Sequence, residues 1–136
     1  MSNISSEKVR AEVTRYWTAF TGKSADIMAS MYAPYAMVFP TWATRPEPAR
    51  LTVARRQREY FNPKTSITGY PGEIEVTLQD TTAVAVYTYQ LHIVNSETGP
   101  RGTESHTLNG RATQVFALDH EGKLKIVHEH LSVARK

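Results

Sequence analysis

The chain has 136 residues, the length of one domain, so we expect a single domain over residues 1–136. Hydrophobic residues make up 40% and charged residues 21%, a balance that excludes a disordered or collagen-like chain. Cysteine is absent, which excludes disulfides and cysteine nucleophiles, and a net charge of +3 is too small to predict nucleic-acid binding. Because neither a long apolar run nor a signal peptide's apolar core occurs, we expect a soluble, cytoplasmic protein.

Three helices are predicted in the first half of the chain. Over residues 6–20 the apolar residues recur at spacings of three and four, the period of one helical face, and Ser5 or Ser6 can cap the start of this helix. A second, short helix begins at Ser24, whose hydroxyl can cap it, and Pro34 ends it. A buried strand is predicted over 36–39. A third helix follows over 48–61, with Pro48 in its first turn.

The third helix is the most basic stretch of the sequence. Its arginines are Arg50, Arg55, Arg56 and Arg58, and its expected buried positions are Leu51, Val53, Ala54, Tyr60 and Phe61. The arginines are interpreted either as a patch for nucleic acid or phosphate, or as a solvated face whose stems cover apolar surface. We favour the solvated face.

After residue 64 the hydrophobic period changes to two, which predicts strands. They are expected over 73–78, 83–94, 103–118 and 123–133, and residues 99–102 form a hairpin loop. Strands of this length must twist. The sequence therefore predicts an α+β fold in which N-terminal helices pack in the concave face of a curled antiparallel sheet, with leftover volume forming a ligand pocket.

An arginine and a glutamate on neighbouring strands are the first candidates for this pocket. If Arg111 and Glu129 share the inner face, they form a partly buried ion pair bordered by Tyr87 and Tyr89, with Thr113 on the same side of the strand as Arg111. The pair is interpreted either as structural or as a site in which Arg111 holds a carboxylate or enolate and Glu129 acts as a base.

Aromatic and histidine side chains offer further alternatives. The aromatic residues of the helices and loops form either a cage for a flat ligand or simply core; they are Trp17, Phe20, Tyr32, Trp42 and Phe61. His128 and His130 point the same way on one strand, which suggests a metal site if His92 or His106 lies nearby. Without a third ligand we expect no metal, and we interpret these histidines as a sheet contact between two subunits.

The C-terminal segment over 110–134 carries a family resemblance. It has a strand led by Arg111, a Glu121-Gly122-Lys123 turn, and a strand reading V-H-E-H-L-S over 127–132. These features resemble the SnoaL-like branch of the nuclear transport factor 2-like superfamily. The resemblance implies a cone-shaped α+β fold and a homodimer.

Within that superfamily, residues 99–105 and the V-H-E-H-L-S ending are similar to the calcium/calmodulin-dependent protein kinase II association (hub) domain. The hub's pocket is lined by arginines, at positions where this chain has Tyr89, Val115 and Leu131. The same comparison implies that odd-numbered strand residues, including Arg111 and Glu129, face inward. Enzymatic relatives carry an acid where this chain has Tyr35, a phenol that can donate a hydrogen bond to an oxyanion but is a poor base.

Two functional hypotheses follow. The first is a small-molecule-binding protein, in its enzymatic form a cofactor-independent isomerase, cyclase or dehydratase-type lyase acting on an apolar or weakly anionic ligand. In it Glu129 or Asp26 would move the proton, and the ligand-binding residues would be Arg111, Tyr87, Tyr89, Trp17, Tyr32, Tyr35 and Thr113. The alternative is a non-catalytic oligomerisation or ligand-sensing module. No glycine-rich phosphate loop or dinucleotide fingerprint occurs, so we expect no cofactor.

Overall fold

A computed structural model describes residues 4–41, 43–96 and 103–133 of the chain. Two helices and a strand come first, and a two-residue strand leads into the third helix before five further strands. In chain order the elements are α1 (Ser6–Thr21), α2 (Ala25–Ser30), β1 (Tyr32–Phe39), β2 (Glu47–Pro48), α3 (Ala49–Glu59), β3 (Thr65–Pro71), β4 (Glu75–Gln79), β5 (Thr82–Ser96), β6 (Thr103–Leu118) and β7 (Leu124–Val133).

Serine side chains cap the first two helices, as their sequences predict. The Ser5 side chain accepts a hydrogen bond from the backbone N–H of Lys8 at 3.1 Å, and Ser24 caps α2 in the same way. The apolar face of α1 is buried. Pro34 does not end α2, because the helix has already stopped and Pro34 lies at an exposed position within β1.

The buried face of α3 differs from the predicted one. Its buried residues are Ala49, Thr52, Val53 and Arg56, which recur at spacings of three and four. Leu51, predicted to be buried, is 49% exposed. The third helix therefore turns an arginine, rather than a leucine, toward the interior.

The strands form one sheet in the order β2-β1-β7-β6-β5-β3, and β4 pairs with the early part of β5. Nearly all pairs are antiparallel, as predicted, but β1 runs parallel to β7. This pairing is incompatible with a purely antiparallel meander, and β3 was not predicted as a strand. The predicted bounds of β6 are confirmed, whereas the hairpin loop before it lies outside the described residues.

The helices cover one face of the sheet, and the core lies between the two layers. Helix α1 contacts β3, β4 and β5, while α3 contacts β1 and α2. Buried residues alternate along β5, from Ala83 to Ile93, and fall on its helix-facing side. None of the described helices combines the length and the hydropathy that crossing a membrane requires.

Candidate functional site

Strand register separates the two charged residues that the sequence analysis paired. Arg111 lies opposite Ser132, whereas Glu129 lies opposite Gln114. On β6 the even-numbered residues face the helices, so Arg111 is exposed on the outer face while Glu129 is fully buried. The expected inward-facing Arg111–Glu129 pair is therefore wrong. Arg111 instead borders a groove of about 420 Å³ on the outer face of the sheet.

The Glu129 carboxylate is the centre of a buried polar network. Its Oε2 accepts hydrogen bonds from the hydroxyls of Tyr16 at 3.3 Å and Tyr32 at 2.9 Å. Its Oε1 accepts from Tyr32 at 3.0 Å and from Nε2 of Gln114 at 2.7 Å. A buried carboxylate is costly unless it is paired and hydrogen-bonded, and here both oxygens have several donors.

Arg56 of α3 supplies the counter-charge that the sequence analysis assigned to Arg111. Its Nη2 lies 3.3 Å from Oε2 of Glu129, and both side chains are buried. Its Nη1 donates to the Tyr32 hydroxyl at 3.3 Å and contacts the sulfur of Met28 at 3.4 Å. The guanidinium also lies over the Phe20 ring, 5.2 Å from its centroid.

Sequence reasoning missed Arg56 because four arginines close together suggested a solvated face. The signal was nevertheless present in the sequence. Arg56 follows Val53 by three residues and Thr52 by four, so it continues the buried stripe of the helix.

The network continues from Glu129 to helix α1 through side-chain hydrogen bonds. Gln114 donates to Glu129 through Nε2, and its Oε1 accepts from the Tyr87 hydroxyl at 2.8 Å. The Tyr87 oxygen in turn accepts from Nε1 of Trp17 at 3.1 Å. The whole network thus links α1, α3, β1, β5, β6 and β7 between the helices and the sheet.

Burial perturbs the phenols of this network. It is the main cause that raises the pKa of Tyr16, Tyr32 and Tyr87 well above the ordinary value of a phenol, and the Glu129 carboxylate raises each pKa further. These hydroxyls remain protonated at neutral pH. They therefore act as hydrogen-bond donors, not as bases.

A cavity of about 30 Å³ lies beside the network, between α1, α3 and the sheet. Its walls are mainly apolar, with one guanidinium and two phenols: Trp17, Phe20, Thr41, Arg56, Tyr60, Tyr89, Leu91, Ile93, Leu108 and Leu131. Thr41, Tyr60 and Leu108 are half-buried and mark its open end. Glu129 does not line this cavity; it lies behind Arg56.

A close aromatic contact shapes the sheet next to the cavity. Tyr89 faces Gly110 on the neighbouring strand, and a Cβ at Gly110 would lie 2.0 Å from Cζ of the Tyr89 ring. Tyr89 also packs against Trp17, with ring centroids 4.9 Å apart. Only glycine leaves room for the ring at this position, so Gly110 fixes where the Tyr89 hydroxyl lies.

The other predicted site residues lie apart from this cavity. Asp26 is exposed in the first turn of α2, and Tyr35 is 73% exposed on β1. Thr113 is half-buried on the outer face of the sheet with Arg111. Of the predicted aromatic set, Trp17 and Phe20 line the cavity, Tyr32 belongs to the network, and Trp42 lies outside the described residues.

The three histidines share the outer face but not one location. His128 and His130 flank the Phe39 ring, with centroid distances of 6.2 and 5.3 Å. His92 hydrogen-bonds the Thr107 hydroxyl, about 20 Å further along the sheet at the usual rise per residue. Within the described parts of the chain, no three His, Asp or Glu side chains come together as a metal would require.

Solved structures of other proteins share this architecture. A proposed dehydratase of the NTF2-like family from Streptomyces avermitilis superposes with a TM-score of 0.80 at 14% identity, covering 96% of this chain and 97% of that one. A proposed calcium/calmodulin-dependent protein kinase II association domain from Xanthomonas campestris gives 0.74 at 20% identity, covering 98% and 91%. A Catenulispora acidiphila protein in complex with S-DNPA gives 0.71 at 13% identity, covering 93% and 91%.

Because the sequence identities are 20% or lower, these structural similarities establish the fold alone. A comparison with curated proteins gave no match. A family model described as SnoaL-like domain matches residues 9–136, which include all of the buried network and the cavity lining. The fold and this match agree with the resemblance carried by the C-terminal strands, and the chain belongs to the SnoaL-like domain family.

Proposed function

We propose that this chain is a small-molecule-binding protein whose ligand enters between α1, α3 and the concave face of the sheet. The observation that carries the proposal is the cavity beside Arg56, where apolar walls surround a fixed hydrogen-bonding group. The Catenulispora acidiphila structure in complex with S-DNPA supports the same use of the fold.

Ligand binding requires the lining to open. The present volume of about 30 Å³ accommodates about one water molecule, whereas a cavity that binds benzene measures about 150 Å³. The side chains of Tyr60 and Leu108, at the open end, are half-buried, whereas the other apolar and aromatic lining residues are buried. They are therefore the side chains that a ligand would displace.

The lining of the cavity is better suited to binding and polarising a ligand than to removing a proton from it. Glu129, the predicted base, already accepts hydrogen bonds at both oxygens and does not line the cavity. Among the described lining residues there is no carboxylate and no imidazole. An isomerase or cyclase mechanism through Glu129 therefore has less support than simple ligand binding.

The test is a titration of methyl-labelled protein with benzene-sized aromatic compounds, followed by NMR. We expect the methyl resonances of Leu91, Ile93 and Leu131 to shift, since these residues line the cavity. Leu108→Ala should tighten binding because it enlarges the open end, whereas Leu51→Ala, at an exposed helix position, should not. Shifts confined to residues outside the cavity would contradict the proposal.

A second candidate function, homodimerisation, is favoured by the uncovered face of the sheet. Strand pairing places Met37, His128, Val115 and Val84 in one row, and Phe39, His130, Thr113 and Val86 in the next. Val86 is 41% exposed and Met37 38% exposed. A second copy of the chain would cover this mixed apolar and polar surface, as predicted for His128 and His130.

Sedimentation velocity at micromolar concentrations tests the dimer. Val86→Glu should convert dimer to monomer because it buries a charge in the contact. Leu51→Glu, which adds the same charge to an exposed leucine of α3, should leave the dimer intact. A monomeric parent protein, or a dimer insensitive to Val86→Glu, would contradict an interface on this face.

A further inference from the structure

The geometry points to a ligand class for the cavity: an uncharged, flat aromatic compound whose strongest hydrogen-bond acceptor, a carbonyl-type oxygen, faces Arg56. This inference rests on the proposed function. It adds the charge and the polarity of the ligand, neither of which follows from the existence of a cavity.

The walls of the cavity select a flat apolar body. Trp17 and Phe20 stack with centroids 5.7 Å apart and planes inclined by 25°, and both line the cavity on the side of α1. The side chains of Leu91, Ile93 and Leu131 line it on the side of the sheet. Aromatic rings facing aliphatic side chains form a slot suited to a planar ring.

Arg56 provides the fixed polar group at the inner end of this slot. A guanidinium has five N–H donors. Three of them contact Glu129, Tyr32 and Met28, and Arg56 also hydrogen-bonds the Tyr16 hydroxyl. None of these four partners lines the cavity, whereas Arg56 does. The donor that they leave available favours a ligand atom that accepts hydrogen bonds.

Charge balance then excludes ionised ligands. Arg56 and Glu129 form a buried pair whose charges cancel, and burial raises the pKa of Tyr60 and Tyr89, so both phenols stay neutral at pH 7. A bound carboxylate would leave one uncompensated negative charge in the interior, which is costly. A bound cation would meet the Arg56 guanidinium directly. An uncharged acceptor avoids both penalties.

Four probes of nearly equal shape separate these possibilities. They are acetophenone, a neutral ketone; benzoate, an anion; benzamidinium, a cation; and cumene, a hydrocarbon. Each is titrated at pH 7 into methyl-labelled protein, and the dissociation constant is taken from the Leu91, Ile93 and Leu131 methyl shifts. We expect acetophenone to bind about tenfold more tightly than cumene, the gain from one hydrogen bond to the charged guanidinium of Arg56. Benzoate and benzamidinium should bind more weakly than cumene.

Variants assign the preference to Arg56. Removing Arg56 alone leaves Glu129 buried without its counter-charge, so the double variant Arg56→Met/Glu129→Gln is used, because it removes both charges together. We expect this variant to lose the tenfold preference, so that it binds acetophenone and cumene with similar affinity. Arg58→Met, at an exposed position of the same helix, is the matched control and should keep the preference. Far-UV circular dichroism verifies that each variant is folded.

The outcomes distinguish the inference from the proposed function. Binding of benzoate or benzamidinium as tightly as acetophenone would overturn the inference but leave small-molecule binding intact. Equal affinities for acetophenone and cumene, or a preference that survives in the double variant, would also overturn it. If none of the four probes shifts the lining methyls up to its solubility limit, the proposed function itself fails.

Discussion

Replacing the Glu129 carboxylate by an amide, Glu129→Gln, tests whether the buried network depends on its charge. The two side chains have nearly the same shape, so packing is conserved while the charge and one acceptor are lost. Oε2 accepts from Tyr16, Tyr32 and Arg56, and Oε1 accepts from Tyr32 and Gln114. Whichever way the amide turns, its NH₂ group meets donors.

The less costly orientation keeps the amide oxygen toward Arg56. Its nitrogen then faces Nε2 of Gln114, which cannot simply turn over because its own oxygen accepts from Tyr87. Arg56 is left in the interior without a counter-charge. Breaking a buried pair from one side costs about 3–5 kcal/mol, a large share of the roughly 5–15 kcal/mol that stabilises an ordinary domain.

Urea denaturation followed by far-UV circular dichroism measures the effect. Glu12→Gln is the matched control, because Glu12 pairs with Arg15 one turn further along α1, where the two side chains are 25% and 51% exposed. Solvent-exposed pairs contribute at most about 1 kcal/mol, so we expect the control to lose no more than that. A loss for Glu129→Gln within 1 kcal/mol of the control would refute the role assigned to the carboxylate. The double variant Arg56→Met/Glu129→Gln should lose less than the two single variants combined.

Three further expectations follow from the same structure. The three network phenols have raised pKa values when folded, so near and above pH 10 the unfolded chain releases protons that the folded chain keeps. The free energy of unfolding should therefore fall by about 2 kcal/mol per pH unit at pH 10 and approach about 4 kcal/mol per pH unit at pH 11. A flat profile in urea titrations at pH 9 to 11 would contradict the burial of these phenols. Gly110→Ala should destabilise by about 1–3 kcal/mol or more, since its Cβ overlaps the Tyr89 ring, and Tyr89→Leu in the same chain should restore much of that loss in thermal unfolding. Arg111→Ala should change stability by less than about 0.5 kcal/mol and leave acetophenone binding unaltered, because Arg111 lies on the exposed outer face.

The spacing of hydrophobic residues predicted most of the helices and strands, because the period of one helix or strand is visible within a few consecutive residues. The capped start of α1 and the full extent of β6 were correct. The short strand β3 was missed, since Gly69 and Pro71 interrupt its alternation. This segment is a strand because it pairs with β5, and that pairing is not evident from its own sequence.

The spacing of residues within one strand does not predict which of its two faces points toward the helices. On β6 both faces mix polar and apolar residues, so the alternation shows which residues lie together but not which set faces the helices. Register decides this, and it shifts between Val115 and Phe116, where β7 carries an extra residue. The same irregularity places Glu129 opposite Gln114. No pattern within either strand alone predicts that pairing.

The position of the buried arginine determines the charge of the site. The resemblance to the hub domain implied a pocket charged by arginines on strands, but at two of those positions Tyr89 and Leu131 line the cavity as uncharged side chains. The cation comes instead from Arg56 on α3, where Glu129 neutralises it. Because the arginine lies on the helical layer and is paired with a glutamate of the sheet, the interior donates hydrogen bonds without carrying net charge. We therefore expect this chain to select an uncharged ligand whatever the charge of the ligands that proteins of the same fold bind.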